Sequence, residues 1–292
     1  MPEFHGWPAD ATAFLAEIAA DNTREFWDRN RDRHAAAVHA PTVALAAELE
    51  PEFGPVRVFR PYVNRRFRPD APPYRTDTGG VARTAGGSAL AVVLSVTALA
   101  VTAGHWAFDG GQLRRYRDAV AGPAGEDLVA VFAGLGLDPT AALAESVRRP
   151  NGPVPDGSVQ DGSTPDGSVA NGSVPNGLVP DGLVPDGLVP DGLVSAASEP
   201  FGGLMLDPGR PLTGTPRGFR ADHPRIALLR YRGLQVRWSW PVGEWLATRE
   251  PLERVRAAWR MATPVLEWLD THVGPADPVP LPPRPAPQTA AL

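Results

Sequence analysis

Residues 84–108 read TAGGSALAVVLSVTALAVTAGHWAF, twenty-five positions without a charged side chain. By length alone the run could cross a membrane as one helix, which takes about 20 consecutive apolar residues. Its composition argues against that. Gly86, Gly87, Ser88, Ser95, Thr97, Thr102, Gly104 and His105 interrupt it, and its strongly apolar part is short and rich in valine. Branched side chains suit the pleated surface of a sheet better than a helix. The run therefore reads as two strands, about 89–95 and 99–106, joined by a tight turn into a hairpin.

The flanking segments alternate between helix and strand patterns. Upstream, Phe14, Leu15 and Ile18 recur at helical spacing and predict a helix over 10–20, with Asp10 as its cap. A second helix starts from Thr23 and carries Phe26 and Trp27. Pro41 is expected to break or kink it before a third helical stretch that ends near Gly54. VRVF at 56–59 alternates as a short strand, and a loop rich in arginine and proline runs on to about 78. Downstream, 112–120 and 126–135 read as helices, with Leu113, Tyr116 and Val120 on one face of the first. A short helix over 224–231, a strand over 234–240 (LQVRWSW) and a last helix from Pro251 to about 273 complete the pattern. That last helix buries Val255, Ala258, Trp259, Ala262, Leu266 and Leu269 as a stripe, and Pro264 should kink it. The fold class is α+β: a single domain with an antiparallel sheet, including the 89–106 hairpin, packed by helices.

Between the last two groups of elements lie nine pentads over 150–194, each close to P-(D/N)-G-(S/L)-V. Proline, then Asp or Asn, then glycine favours isolated turns, and the remaining positions are too small to form a core. Such a stretch is expected to be a disordered, low-complexity insertion, 150–199, dividing one domain into 1–149 and 200–274. Seven prolines mark 275–292 as a disordered tail.

Composition removes several chemistries. The chain has no cysteine, so disulfides, thiolate metal sites and cysteine nucleophiles are excluded. All 28 basic residues are arginine, which excludes Schiff-base lysine chemistry and a phosphate-binding P-loop lysine. The six histidines contain no i, i+4 pair, so no zinc site, and no other metal or cofactor, is expected. The net charge of −5 is concentrated: six acids and no base fall within the pentads, leaving the rest near neutral. Neither nucleic acid nor membrane is the expected partner. The first residues show no basic segment followed by an apolar one, so no secretory signal is read and a cytoplasmic location is expected.

Two polar clusters stand out. Arg57, Arg60, Arg65, Arg66, Arg68 and Arg75 fall within 19 residues, interleaved with Phe59, Tyr62, Phe67 and Tyr74 and opposed only by Asp70. Guanidinium groups fork onto carboxylate or phosphate and stack on aromatic faces, but a solvated basic loop has the same composition. The second cluster holds Arg217, Asp222, His223 and Arg225. An aspartate can orient a histidine as a base, yet D-H-P-R also reads as a helix start, with Asp222 as cap and Pro224 in the first turn.

The stretches FHGWPADATAFLAEIAADNTREFW, FRPYVNRRFRPDAPPYRT, QLRRYRDAV and TPRGFRADHPRIALLR resemble, in order and spacing, a bacterial family of conserved hypothetical proteins, domain of unknown function 2461. The likeness spans roughly 4–149 and 200–274. The family's signature resembles F-R-P-x-R-D-x-R-F-S-x-D-K-S-P-Y-K-T. Arg66, Phe67, Asp70, Pro73, Tyr74 and Thr76 match it, and Arg75 stands for a lysine. Val63 and Asn64 replace an Arg–Asp pair, Arg68 a serine and Ala71 a lysine. The resemblance implies no established activity.

From the residues, the first expectation is a module binding a small anionic ligand, phosphate or carboxylate, through Arg66, Tyr74, Arg75, Arg217 and Arg225 in one pocket. The alternative is a hydrolase or transferase in which His223 is the base, Asp222 orients it and Arg66 and Arg75 clamp the substrate. A structural or interaction protein, with both clusters as internal braces, is the third reading.

Overall fold

The computed structural model describes residues 3–63, 70–148 and 203–277. The pentad repeat, Arg65, Arg66 and Arg68, and the tail beyond Asp277 lie outside these residues. The chain opens with α1 (Ala9–Ala20) and α2 (Arg24–His34). Thr23 caps α2, its hydroxyl accepting from Phe26 N at 3.2 Å. Asp10 does not cap α1, which starts after Pro8. Its carboxylate instead takes the Arg33 guanidinium, at 2.6 Å. Pro41 does not interrupt the helical run. A π-helical turn over Ala35–His39 passes into α3 (Ala40–Phe53), and Pro41 sits in the first turn of α3, where a missing N–H costs least.

β1 (Arg57–Val58), β2 (Thr78–Arg83), β3 (Ala89–Leu94) and β4 (Ala98–His105) follow. Next come α4 (Gly110–Ala121), α5 (Ala124–Gly134) and α6 (Pro139–Arg148). After the undescribed stretch the order is β5 (Met205–Asp207), α7 (Ile226–Leu229), β6 (Leu234–Pro241), a 3-10 turn over Glu244–Ala247, and α8 (Glu250–His272). The uncharged run is thus β3 and β4 with their turns. Among the described residues no single helix is long and apolar enough to cross a membrane; α5 with α6 qualifies by length and composition, but the pair is bent by 80°. α8 is continuous through Pro264.

All six strands form one antiparallel sheet in the order β1-β2-β3-β4-β6-β5. The protein is therefore α+β. β4 pairs with β6 over its whole length, from Ala98↔Pro241 to His105↔Leu234, so the segments before and after the repeat share the centre of the sheet. Strand alternation sorts the side chains onto two faces. Leu99, Val101 and Ala103 of β4 and Leu234, Val236, Trp238 and Trp240 of β6 join helical residues such as Phe14, Tyr116, Trp259 and Leu269 in the main core. The opposite face gathers a smaller cluster, Phe59, Val81, Ala89, Ala91 and Val93, with Trp106 partly buried against it and no helical residue in it.

β2 has no sequence signal of the usual kind because it contains Gly79 and Gly80. The glycine is structural: a Cβ built on Gly79 would lie 1.9 Å from Val92 O of the paired strand.

Candidate functional site

The described members of the first arginine cluster are held by the fold. Tyr74 is buried, stacked on Trp27 at 4.6 Å between ring centroids. The Asn22 side chain bonds its backbone at both ends, accepting from Tyr74 N at 2.9 Å and donating to Tyr74 O at 3.0 Å. Arg75 lies over the Phe59 ring, 4.7 Å from its centroid, and pairs with Asp77 at 2.6 Å, its side chain only 7% exposed. Tyr74 and Arg75 are thus buried supports of the loop rather than an open clamp.

The second cluster is divided among unrelated tasks. Asp222 does not cap a helix and does not touch the imidazole; it pairs with Arg220 at the surface, 2.8 Å away. That pair lowers the Asp222 carboxyl below its usual range. His223 Nδ1 accepts from Arg225 N at 3.0 Å, so the histidine shapes the turn entering α7, which starts at Ile226. Arg225 donates to Val120 O (2.6 Å), Ala121 O and Gly122 O (3.0 Å each) and so closes the C-terminal end of α4. Four C-terminal carbonyls of a helix lack intrahelical donors, and a guanidinium suits them by charge and by number of N–H groups. Arg217 is exposed.

Among the described residues these two groups do not meet. Arg75 leads into Thr78, which the register sets level with Leu94, Leu99 and Trp240. Arg225 and α7 lead into Leu234, level with His105 at the other end of the sheet, and on the side of β6 rather than β2.

The sheet face away from the helices carries polar groups that the two clusters do not include. Arg83 and Arg57 project from it at the β2–β1 edge, since Arg83 pairs with Ala89 and Arg57 with Val81. Burial and the positive charge of Arg57 both push the Arg83 guanidinium below its ordinary pKa. Among the described residues Arg83 has no carboxylate partner, only a 3.4 Å contact to Gly87 O. Across the same face, Thr102 stands directly opposite Arg237, and Gly104 opposite Gln235. Thr102, Gln235 and Arg237 are 6%, 4% and 4% exposed. The Thr102 hydroxyl, the Gln235 amide nitrogen and the Trp106 indole nitrogen are buried without a hydrogen-bond partner. A sequence signal for this row existed: in LQVRWSW the polar Gln235, Arg237 and Ser239 alternate with Leu234, Val236, Trp238 and Trp240.

Behind the helix-covered face lies a Ser–His–Asp group. Ser88 Oγ donates to Asp270 Oδ1 at 2.6 Å, and His105 Nε2 is 3.3 Å from the same Oγ. The order is wrong for a nucleophile, because the carboxylate holds the serine instead of orienting the imidazole. Ser88 is also fully buried. Burial lowers the His105 pKa to about 4, the nearby Arg83 adding to it against Asp270. The group ties β3 and β4 to the end of α8. Among the described residues no three His, Asp or Glu side chains gather as a metal site.

The chain belongs to the family of conserved hypothetical proteins called domain of unknown function 2461, whose sequence profile matches residues 10–268. No curated protein and no solved structure matches it.

Proposed function

We propose that the protein binds a small anionic ligand, a carboxylate or phosphate, at the β1–β2 edge of the face that no described helix covers. Arg83 carries the reading. Its side chain is exposed at the edge of the sheet, has no carboxylate partner among the described residues, and feels the like charge of Arg57. An anion at this edge would accept from the Arg83 fork and be drawn by the positive field that Arg57 adds to it. Arg75 contributes from behind, holding Phe59 in place as a wall.

Nothing favours the hydrolase or transferase reading over this one, because Asp222 and His223 are occupied by Arg220 and the Arg225 backbone. Thermal melts in phosphate and in acetate, against chloride at equal ionic strength, test the binding. A ligand that binds only the native state stabilises it by about 2.7 kcal/mol at 100 times its Kd. The wild type should gain stability beyond chloride and Arg83→Ala should lose that gain. Phosphate also stabilises proteins by exclusion from their surface. An equal gain in both proteins would therefore reject the site.

A further inference from the structure

Arginines are matched to acids around α8 and unmatched around α4 and α7. On α8 and at its start, Arg249, Arg254, Arg256 and Arg260 each meet a glutamate. From Gly203 to Gly233 there are six arginines against two aspartates and no glutamate. Arg220 takes Asp222, and Arg225 closes the end of α4. The Asp207 carboxylate accepts from Gly209 N at 2.8 Å, within its own turn. Arg114, Arg117, Arg210, Arg230 and Arg232 meet no carboxylate among the described residues.

The fold gathers these five. The segment 208–213 runs beside 230–232, since Arg232 N donates to Pro208 O at 3.2 Å and Leu212 N to Arg230 O at 2.8 Å. The Arg230 side chain donates to Leu212 O and Thr213 O, at 2.8 Å each, and Arg210 lies between these cross-links. Arg117 of α4 reaches the same place, donating to Leu229 O at 3.1 Å. Burial, and then the charge of Arg232, push its guanidinium below the ordinary range. Arg114 stands one turn earlier on α4. Arg114, Arg210 and Arg232 are exposed, and the other two are half-buried.

The acid-only stretch of the chain is rooted beside this surface. The Tyr231 hydroxyl donates at 2.7 Å to the carbonyl of Pro139, the first residue of α6. α6 is about 15 Å long and ends at Arg148, just before the pentads. The described chain resumes at Gly203 and reaches Arg210 through β5. The pentads carry Asp156, Asp161, Asp166, Asp181, Asp186 and Asp191 and no basic residue. Their carboxylates return every fifth residue in two runs, so pairing with a row of arginines needs no single register.

We propose that the arginine surface of α4 and the paired segments 208–213 and 230–232 is the docking site of this chain's own acidic pentads. The edge site at Arg83 plays no part in it. One exposed ion pair contributes little. Tethering makes the docking intramolecular, so several weak pairs acting together suffice. Nucleic acid fits the surface less well. Among the described residues the exposed large aromatic side chain is Tyr62, which packs on Trp27 and Tyr74, so bases find no ring to stack on here. The tethered aspartates would also repel a phosphate backbone.

The chain has no cysteine, so Ser173→Cys in the full chain takes a single nitroxide between the two runs of aspartates. Its mobility is read by electron spin resonance in about 0.01 M and about 1 M sodium chloride, where the Debye length is about 30 Å and about 3 Å. The label should tumble about threefold more slowly in the low salt, because screening removes the docking in the high salt. Changing the six pentad aspartates to asparagine should abolish the difference. So should Arg210→Gln made together with Arg232→Gln, two exposed side chains that hold no other side chain among the described residues. If that double variant does not fold, Arg114→Gln, exposed on α4, takes its place and should shrink the difference. A label equally mobile at both salt concentrations overturns the proposal. Slowing that survives the aspartate or the arginine substitutions overturns it as well, since the contact would then be made by other groups. A label that stays mobile while the wild type retains fluorescent single-stranded DNA through Arg210 and Arg232 also overturns it, and assigns the surface to nucleic acid.

Discussion

The two faces of the sheet obey different rules. Toward the helices, β4 and β6 present Leu99, Val101, Trp238 and Trp240, large side chains that share one core with residues of α1, α4 and α8. Away from them the same two strands present Ala100, Thr102, Gly104, Gln235, Arg237 and Ser239. One face is filled by volume, which is how a core gains stability. The other alternates small and polar groups along β4 and β6. Its apolar part is the smaller cluster on β2 and β3, so less of this face is packed for volume.

If the division is real, the largest effect should come from the helix side. Leu99→Ala empties a site with no exposure and should cost about 2–5 kcal/mol, read as a lower urea midpoint. A loss under about 1 kcal/mol would break the comparison at its stronger end.

Acid should act on the same side. Burial, with His39 adding a like charge, lowers His34 to about 4, and burial lowers His105 to about 4; both histidines belong to the helix-covered half. An unfolded histidine titrates near 6.5. Between about pH 6.5 and 4 the unfolded chain therefore binds more protons than the native one, so stability is full above 6.5 and falls as pH drops through that window. Urea midpoints taken across it should slope downward in the wild type and less steeply in His105→Gln. An unchanged slope would place the acid sensitivity elsewhere.

The smallest effect belongs to the other face. Ser239 is half-buried there, level with Ala100, and Ser239→Ala should change stability by less than about 0.5 kcal/mol. A larger loss in the same denaturation assay would mean that this face, too, is packed for stability.

Much of the helix-covered face could be read in advance, because large apolar residues recur at 3.6 or at 2. The hairpin within 84–108, the strand beginning at Leu234 and the stripe of α8 all follow from that recurrence. What could not be read has physical causes. β2 is hidden by two glycines that close strand contact requires, and β5 has only three residues, too few for a pattern. Pro41 was expected to break a helix but falls where a helix start tolerates proline, after a π-helical turn that periodicity does not encode. The candidate site was less legible than the fold. Density of arginine pointed to 57–75 and 217–225, yet Arg225 spends its donors on backbone carbonyls and Arg75 on Asp77. Composition counts charges and cannot tell a brace from a binding group. Arg83 and Arg237 are each the only charge in their strand, and only strand pairing shows that they share a face.

The pairing of Ala98 with Pro241 and of His105 with Leu234 also sets a clock. β2, β3 and β4 join through short turns and can zip in microseconds, as local hairpins do. β6 must instead be captured from far along the chain, and contacts of that separation slow folding more than any others. The intervening loop includes the pentads, but its closing entropy grows only as the logarithm of its length. Deleting all of 150–199 would lower that cost by about 0.4 kcal/mol, roughly a factor of two in rate. The repeat number can therefore drift while the time to complete the sheet scarcely changes.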